Sequence, residues 1–389
     1  MTDRGEQASS RLDAQFAFLN EADRLKSVTR ANELLDGSRA ENSAEHSWHV
    51  ALWALVFAGH APEGTDIARA IQMLLLHDLV EIDAGDHPIH LPNPGQAEAE
   101  AQAAKRLFGL LPPEDGETLS QLWREFEAAQ TPTARFAKAV DHTQPLFQVL
   151  MSASPPPDHV DIVRQNLSTG RAADLVTRWP QAHSAAVAML AGEMPTPSAF
   201  TQALRFLAEA DALKSVNRAT TLCDGSRREN SAEHSWHIAL YALVLVDQAG
   251  PGVDISRVIE MLLLHDLVEI DVGDVPIHSA NGAAHSSTDI QAAEAQAANR
   301  IFGLFPKVLG DDLHAIWQEF EANHTPSAQF AKSLDRVQPV MQNIQCGGGS
   351  WAEYNVTLDQ LETRVGAKIA HGAPQLWPCV RDRCLPFFK

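Results

Sequence analysis

The chain has 389 residues, 45% of them hydrophobic and 21% charged, the make-up of a globular protein with sizeable cores. A formal net charge of −20 repels polyanions and argues against a nucleic-acid ligand. A small phosphate compound stays compatible, because local cations and a metal can override the global field. No apolar run reaches the ~18–20 residues that a membrane helix needs, and the opening MTDRGEQASSRLDAQ has no apolar signal region, so no membrane partner and a cytoplasmic location are expected.

In chain order, residues 1–12 read as a loose tail, followed by a first unit over 13–191, a linker over 192–199 and a second unit over 200–389. The two units are a duplication. EADRLKSVTR (Glu21 to Arg30) aligns with EADALKSVNR (Glu209 to Arg218), and ENSAEHSWH from Glu41 recurs unchanged from Glu229. MLLLHDLVEID from Met73 recurs from Met261, all at an offset of 188. The offset becomes 194 where FAKAVD (Phe136 to Asp141) meets FAKSLD (Phe330 to Asp335), which puts six extra residues in the second copy around Ser279–Asp289. Units of this length make a domain duplication; solenoid repeats run to ~20–50 residues.

The pattern within each copy is helical. Ile67–Ile82 is apolar nearly all round, as a buried central helix is, and stops at the Gly85-Asp86-His87-Pro88 breaker. Ala97–Leu110, Leu119–Ala129 and Pro132–Leu150 continue in residues that favour helix. Strand-like alternation is absent, so each copy is expected to be an all-α bundle of about five to seven helices. The copies diverge at their ends, through Ser-Pro-Pro-Pro from Ser154 and Cys-Gly-Gly-Gly-Ser from Cys346, both read as loops before the last helices. The four cysteines (Cys223, Cys346, Cys379, Cys384) all lie in the second copy. They are expected to be free thiols, since a disulfide framework would not be confined to half of a duplication.

One constellation recurs with its spacing intact: His46, His77-Asp78 and Asp141 in copy one; His234, His265-Asp266 and Asp335 in copy two. Two imidazoles and two carboxylates suit Mn, Fe, Co or Zn better than Ca or Mg, with Mg still possible, at one divalent ion per copy. His77-Asp78 follows Met-Leu-Leu-Leu, where an unpaired polar pair would cost about 2–7 kcal/mol, and a metal satisfies both groups. Glu81 and Glu269 follow the His-Asp pair by one helical turn, a natural place for a general acid or base. Asp86 and Asp274 follow a glycine, and orient a water or merely shape the turn. Lys26 with Arg30, and Lys214 with Arg218, are four residues apart, which puts each pair on one helix face as a phosphate clamp; the alternative is a surface salt bridge, for instance of Lys26 to Glu21 or Glu41. His49, His237, Trp48 and Trp236 are expected to pack in the bundle or between domains, His90 and His278 to line the pocket mouth, and Asp83 and Asp271 to support a helix end.

These strings resemble the HD-domain metal-dependent phosphohydrolases. ENSAEHSWH followed by LLHDLVEIDxGD is similar to the branch containing bacterial 5′-deoxynucleotidases. The resemblance implies an all-α fold of two tandem HD-domain bundles that pair as a pseudo-dimer, since the family is often homodimeric, with a further homodimer conceivable. It implies that His46, His77, Asp78, Asp141 and their copy-two equivalents are metal ligands. Glu81 and Glu269 match the catalytic acid, Asp86 and Asp274 a residue near the attacking water, and Arg30 and Arg218 a phosphate-contacting arginine. The expected partner is a small phosphorylated substrate, with a nucleoside 5′-monophosphate foremost. One departure bears on sugar selectivity: the branch has a bulky aromatic after the phosphate arginine, where this chain has Ala31 and Ala219.

Three alternatives stand beside this reading. A di-iron oxygenase needs two further histidines, and the copies disagree there: His87 and His90 in one, His278, His285 and His314 in the other. A non-enzymatic nucleotide sensor would have lost a ligand in one copy, and neither has. A triphosphohydrolase wants a cationic cluster that the linear sequence does not show.

Overall fold

The computed structural model describes residues 2–87, 93–279 and 287–388. His90 and His285 lie outside these residues, as does most of the insertion in copy two. Helices of eight or more residues are numbered in chain order. Copy one holds α1 (Thr2–Ala22), α2 (Ser43–Val56), α3 (Ile67–Leu76), α4 (Gln96–Phe108), α5 (Pro113–Ala128), α6 (Pro132–Met151), α7 (Pro157–Ser168) and α8 (Pro180–Leu190). Copy two holds α9 (Ala199–Ala210), α10 (Ser231–Val244), α11 (Ile255–Leu264), α12 (Thr288–Phe302), α13 (Lys307–Ala322), α14 (Pro326–Gln345) and α15 (Leu376–Cys384). The all-α expectation holds, with one addition per copy. Strands β1 (Thr29–Glu33) and β2 (Ala40–Asn42) pair antiparallel, as do β3 (Asn217–Thr221) and β4 (Arg228–Asn230). They are too short for alternation to register, and their turns pass through Gly37 and Gly225 at φ of 69° and 74°.

Three further expectations are corrected. The N-terminal segment is helical from Thr2, not a loose tail. Ile67–Ile82 is not one helix: α3 ends at Leu76, His77–Val80 tightens into a 3-10 turn, and a short helix restarts at Glu81. Lys26 and Arg30 do not share a helix face, because the chain passes from a 3-10 turn (Asp23–Ser27) into β1 between them.

The copies meet along α2 and α10, whose side chains are almost all buried. Each helix starts from an asparagine cap with a reciprocal glutamate, Asn42 with Glu45 and Asn230 with Glu233. Each cap also reaches across: the Asn42 amide donates to Glu233 at 3.0 Å, and the Asn230 amide to Glu45 at 2.5 Å. The first helix of each copy leans on the other copy. Phe200 of α9 packs against Phe57, Phe147 and Trp179 of copy one, and Phe16 of α1 against Tyr241 of copy two. Residues 191–198 join α8 to α9, so the connection falls where the Gly/Pro stretch placed it, while α9 itself belongs to both cores.

The turn after α3 is held from both sides. A helix end leaves carbonyls without partners. Here His77 Nδ1 takes the Leu74 carbonyl at 2.8 Å, and the indole N–H of Trp236 donates to the Leu75 carbonyl at 3.0 Å. Copy two repeats this, with His265 on Leu262 at 3.0 Å and Trp48 donating to Leu263 at 3.1 Å. Trp236→Phe keeps the bulk but leaves a buried carbonyl unpaired. It is expected to lower the unfolding free energy by about 1–3 kcal/mol in a urea titration.

Candidate metal centre and phosphate pocket

His46 projects from α2, His77 and Asp78 from the 3-10 turn, and Asp141 from α6. Ligand atoms of His46, His77 and Asp78 lie within 4.8 Å of one another, and all three residues are buried. Asp141 Oδ1 stands 3.2 Å from His46 Nε2 and 3.4 Å from His77 Nε2, and His77 Nε2 is 3.1 Å from Asp78 Oδ1. In copy two His234 Nε2 is 3.3 Å from Asp335 Oδ1, and His265 Nε2 is 3.0 Å from Asp266 Oδ1. Pro145 and Pro339 lie inside α6 and α14, four residues beyond these aspartates. A proline there has no N–H to return to the aspartate's carbonyl, so the helix ladder is interrupted at the ligand.

The donor set fits a divalent metal on its own chemistry. His77 and His265 each spend Nδ1 on a backbone carbonyl, while Nε2 is buried with no hydrogen-bond partner. A ring fixed in this way, with a bare nitrogen facing carboxylates, is the arrangement of a metal-binding histidine. His46 is raised to about 9: burial and Arg30 push it down, and Asp141 and Glu41 outweigh them. Burial also works against ionised Asp141, yet His46 and His77 hold it well below the usual carboxylate range.

Around this cluster each copy opens a pocket, of about 360 Å³ in copy one and about 480 Å³ in copy two. Arg30 comes from β1 and Asp86 follows Gly85, whose φ is 74°. Arg30 Nη1 is 2.7 Å from Asp78 Oδ2, 3.5 Å from Glu81 and 3.7 Å from Asp86. Arg218 faces Asp266, Glu269 and Asp274 at 2.6, 3.6 and 3.8 Å. Burial, then the charge on Asp78, holds the Glu81 carboxyl well above its ordinary range despite Arg30, and Ser43 Oγ donates to it at 2.5 Å. Glu269 repeats this with Ser231. Thus Arg30, Asp86, Glu81 and the proposed ligands all converge. Asp83 and Asp271 do not: they pair with Arg106 and Arg300 at the exposed helix end.

The lysine half of the phosphate clamp is a correction. Lys26 and Lys214 line neither pocket and are fully buried between the copies. Lys214 Nζ pairs with Asp211, with Glu41 of copy one at 2.7 Å and with His49 at 3.0 Å. Lys26 pairs with Asp23, with Glu229 of copy two at 2.6 Å and with His237 at 2.9 Å. The alternative of a surface salt bridge is corrected too: the bridge is fully buried, and the partner is the equivalent of Glu41 in the opposite copy. These two acid–His clusters have metal-like spacing, but an ammonium already stands in each. Burial lowers Lys214's affinity for its proton; Asp211 and Glu41 more than restore it, so it stays charged. His49 and His237 are pushed to about 3 by burial and the neighbouring lysine, and pack as neutral rings.

Several pocket residues escaped the sequence reading. Lys138 and Lys332, three residues before Asp141 and Asp335, line the pockets and pair with Glu127 and Glu321. Their place inside FAKAVD and FAKSLD was the available signal. Glu100 and Glu294 line the same walls. Next to Asp141 and Asp335, copy one has His142 where copy two has Arg336. Copy two also gathers Arg364 and Lys368, a cationic group that the linear sequence had scattered. Of the histidines weighed for a second metal, His87 and His278 line their pockets, while His314 stacks on Phe302 and Trp317 away from the site. Among the described residues the copies share no second histidine pair. All four thiols are free.

The lysine correction is testable. Lys214→Met strands Glu41 and Asp211 in the interior and is expected to cost about 3–5 kcal/mol of stability in urea denaturation, as a buried charge network demands and a surface phosphate clamp does not.

A family model of the HD domain matches residues 22–183 and again 210–377. The 5′-deoxynucleotidase HDDC2 of Homo sapiens is 28% identical over 140 residues, covering 36% of this chain and 65% of the relative, just under two thirds of its length. A 5′-deoxynucleotidase of Photorhabdus laumondii is 26% identical over 165 residues, covering 40% of this chain and 81% of the relative. A solved structure named "Predicted metal-dependent phosphohydrolase" from Magnetospirillum magnetotacticum is 40% identical, covers 49% of this chain and 96% of its own, and gives a TM-score of 0.45. With the family's domain matched twice over most of its length, this chain belongs to the HD-domain family and carries that domain in duplicate.

Proposed function

We propose that each copy is a metal-dependent phosphohydrolase that releases phosphate from a small phosphomonoester, with nucleoside 5′-monophosphates the leading class. The observation that carries this is the meeting, in both copies, of a His/His/Asp/Asp cluster with an arginine and a glutamate in one pocket. The names of the relatives, 5′-deoxynucleotidase and metal-dependent phosphohydrolase, support the same chemistry.

His46, His77, Asp78 and Asp141 would hold the ion in copy one, and His234, His265, Asp266 and Asp335 in copy two. A divalent transition ion bound there supplies Lewis-acid charge to phosphate oxygens and makes water more acidic. Arg30 and Arg218 hold the phosphate oxygens by paired N–H donors. Glu81 and Glu269, three residues past the proposed ligands Asp78 and Asp266 and held protonated by their surroundings, deliver a proton to the leaving alkoxide. Asp86 and Asp274 orient the attacking water. Ala31 and Ala219 line the pockets beside these arginines, so no bulky ring stands there to police the sugar. The reciprocal contacts across α2 and α10 support reading the chain as an intramolecular pseudo-dimer.

The test is phosphate release from a panel of nucleoside mono- and triphosphates, after stripping the protein and adding back Mn, Co, Fe or Mg. His77→Ala and His265→Ala should each remove one copy's contribution, and the double variant all of it. Metal analysis should fall from two ions per chain to one, then none. Release that ignores metal, or none from any substrate with metal bound, overturns the proposal. A second expectation concerns the acid: Glu81→Gln, read in the His265→Ala background, should lower kcat by about 10²–10⁴-fold.

A further inference from the structure

The two pockets share a floor and differ in one wall. Six carboxylates match by position: Asp78, Glu81, Asp86, Glu100, Glu127 and Asp141 against Asp266, Glu269, Asp274, Glu294, Glu321 and Asp335. Two cations also match, Arg30 with Arg218 and Lys138 with Lys332, and in both copies these face carboxylates of that floor. The remaining wall is built from the C-terminal segments, where the copies diverge. Copy one contributes His159, Asn166 and Arg171, with His142 beside its ligand aspartate. Copy two contributes Arg364 and Lys368, with Arg336 in the place of His142.

The copy-two cations form a group. Arg364 lies in a π-helical turn (Glu362–Gly366), a distortion common at functional sites, and Lys368 follows four residues later in the next helical segment. Among the described residues, neither has a carboxylate within 4.0 Å, whereas Arg336 stands 2.9 Å from Asp335. Arg364 and Arg336 converge on His278, which burial, with their charge added, pushes down to about 4. Five cations therefore face six carboxylates in copy two, against three in copy one, and the copy-two pocket is the larger, about 480 against 360 Å³.

We infer that the copies have diverged in the charge of the molecule they accept: copy one takes a phosphomonoester with no further anionic group, and copy two a phosphomonoester that carries a second phosphoryl group, held by Arg364 and Lys368 with Arg336. The inference rests on the phosphohydrolase reading and sharpens it. The reaction is the same in both. The oxygen of water bonds to phosphorus, the P–O bond to the alkoxide breaks, and the leaving oxygen takes up a proton. In copy two the second phosphoryl group stays on the product.

The experiment uses full-length single-site variants, His265→Ala to isolate copy one and His77→Ala to isolate copy two. Phosphate release from adenosine 5′-monophosphate and adenosine 3′,5′-bisphosphate is compared, and calorimetry reads the binding of phosphate and pyrophosphate to the metal-free protein with Arg218→Ala, which leaves the copy-one pocket, and with Arg30→Ala, which leaves the copy-two pocket. The copy-two site should favour the bisphosphate, and pyrophosphate over phosphate, on the order of tenfold more than the copy-one site does. In the copy-two background Arg364→Ser with Lys368→Ser should reduce kcat/KM for the bisphosphate about tenfold more than for the monophosphate, and Arg364→Lys with Lys368→Arg should restore the preference. Equal preferences in the two isolated sites, or equal losses on both substrates, overturn the inference. If neither site releases phosphate but pyrophosphate still prefers copy two, the phosphohydrolase reading fails and the charge divergence stands.

Discussion

The last turn of α3, and its counterpart in α11, is the constraint on which the site depends. A helix cannot satisfy its own final carbonyls. Here one is taken by the histidine that opens the His-Asp pair, and the next by a tryptophan of the other copy. The first bond fixes the ring and leaves Nε2 facing the carboxylates. The second ties the position of that ring to the neighbouring domain. A site that looks local in sequence is therefore held by the interface.

The interface does the same through charge. Glu41 lies behind the first histidine of the cluster, its Oε2 being 3.6 Å from His46 Nδ1, while its other oxygen takes the buried Lys214 ammonium from copy two. Glu229 stands in the same relation to His234 and Lys26. An ammonium withdrawn from water is costly unless its carboxylate partners are all present, and here they come from both copies. Each copy thus contributes a charge without which the other's carboxylate would be buried alone. This explains why a lysine four residues from the pocket-lining Arg30 serves the interface: the chain turns from a 3-10 helix into a strand between them, and the two side chains part.

The shared floor and differing wall of the pockets follow from the same economy of constraint. Residues on α2, α3, α6 and β1 touch both the site and the core or interface, so a change in any of them disturbs several contacts. The C-terminal segments also reach the core and the other copy, through Trp179 on Phe200 and Arg383 on Asp13, but their pocket-lining residues Arg171, Arg364 and Lys368 stand apart from those contacts. At those positions the sequences part, and one step on α6 and α14 differs with them, His142 beside Asp141 in one copy and Arg336 beside Asp335 in the other.

The sequence by itself determined the duplication and the helical class, and it singled out His46, His77, Asp78, Asp141, Glu81 and Arg30 as one constellation, because unchanged strings at a constant offset carry their spacing openly. It could not show the small hairpins, whose strands of five and three residues are shorter than any pattern of alternation. Nor could it show that Ile67–Ile82 breaks at His77, since apolar content persists through the break while the hydrogen bonding changes. Only the tertiary structure decided where Lys26 and Lys214 go, that α1 and α9 lean across the pair, and that Arg336, Arg364 and Lys368 face one cavity. The reason is common to all three: each depends on contacts between segments far apart in the chain, and periodicity and spacing record only what lies within a few turns.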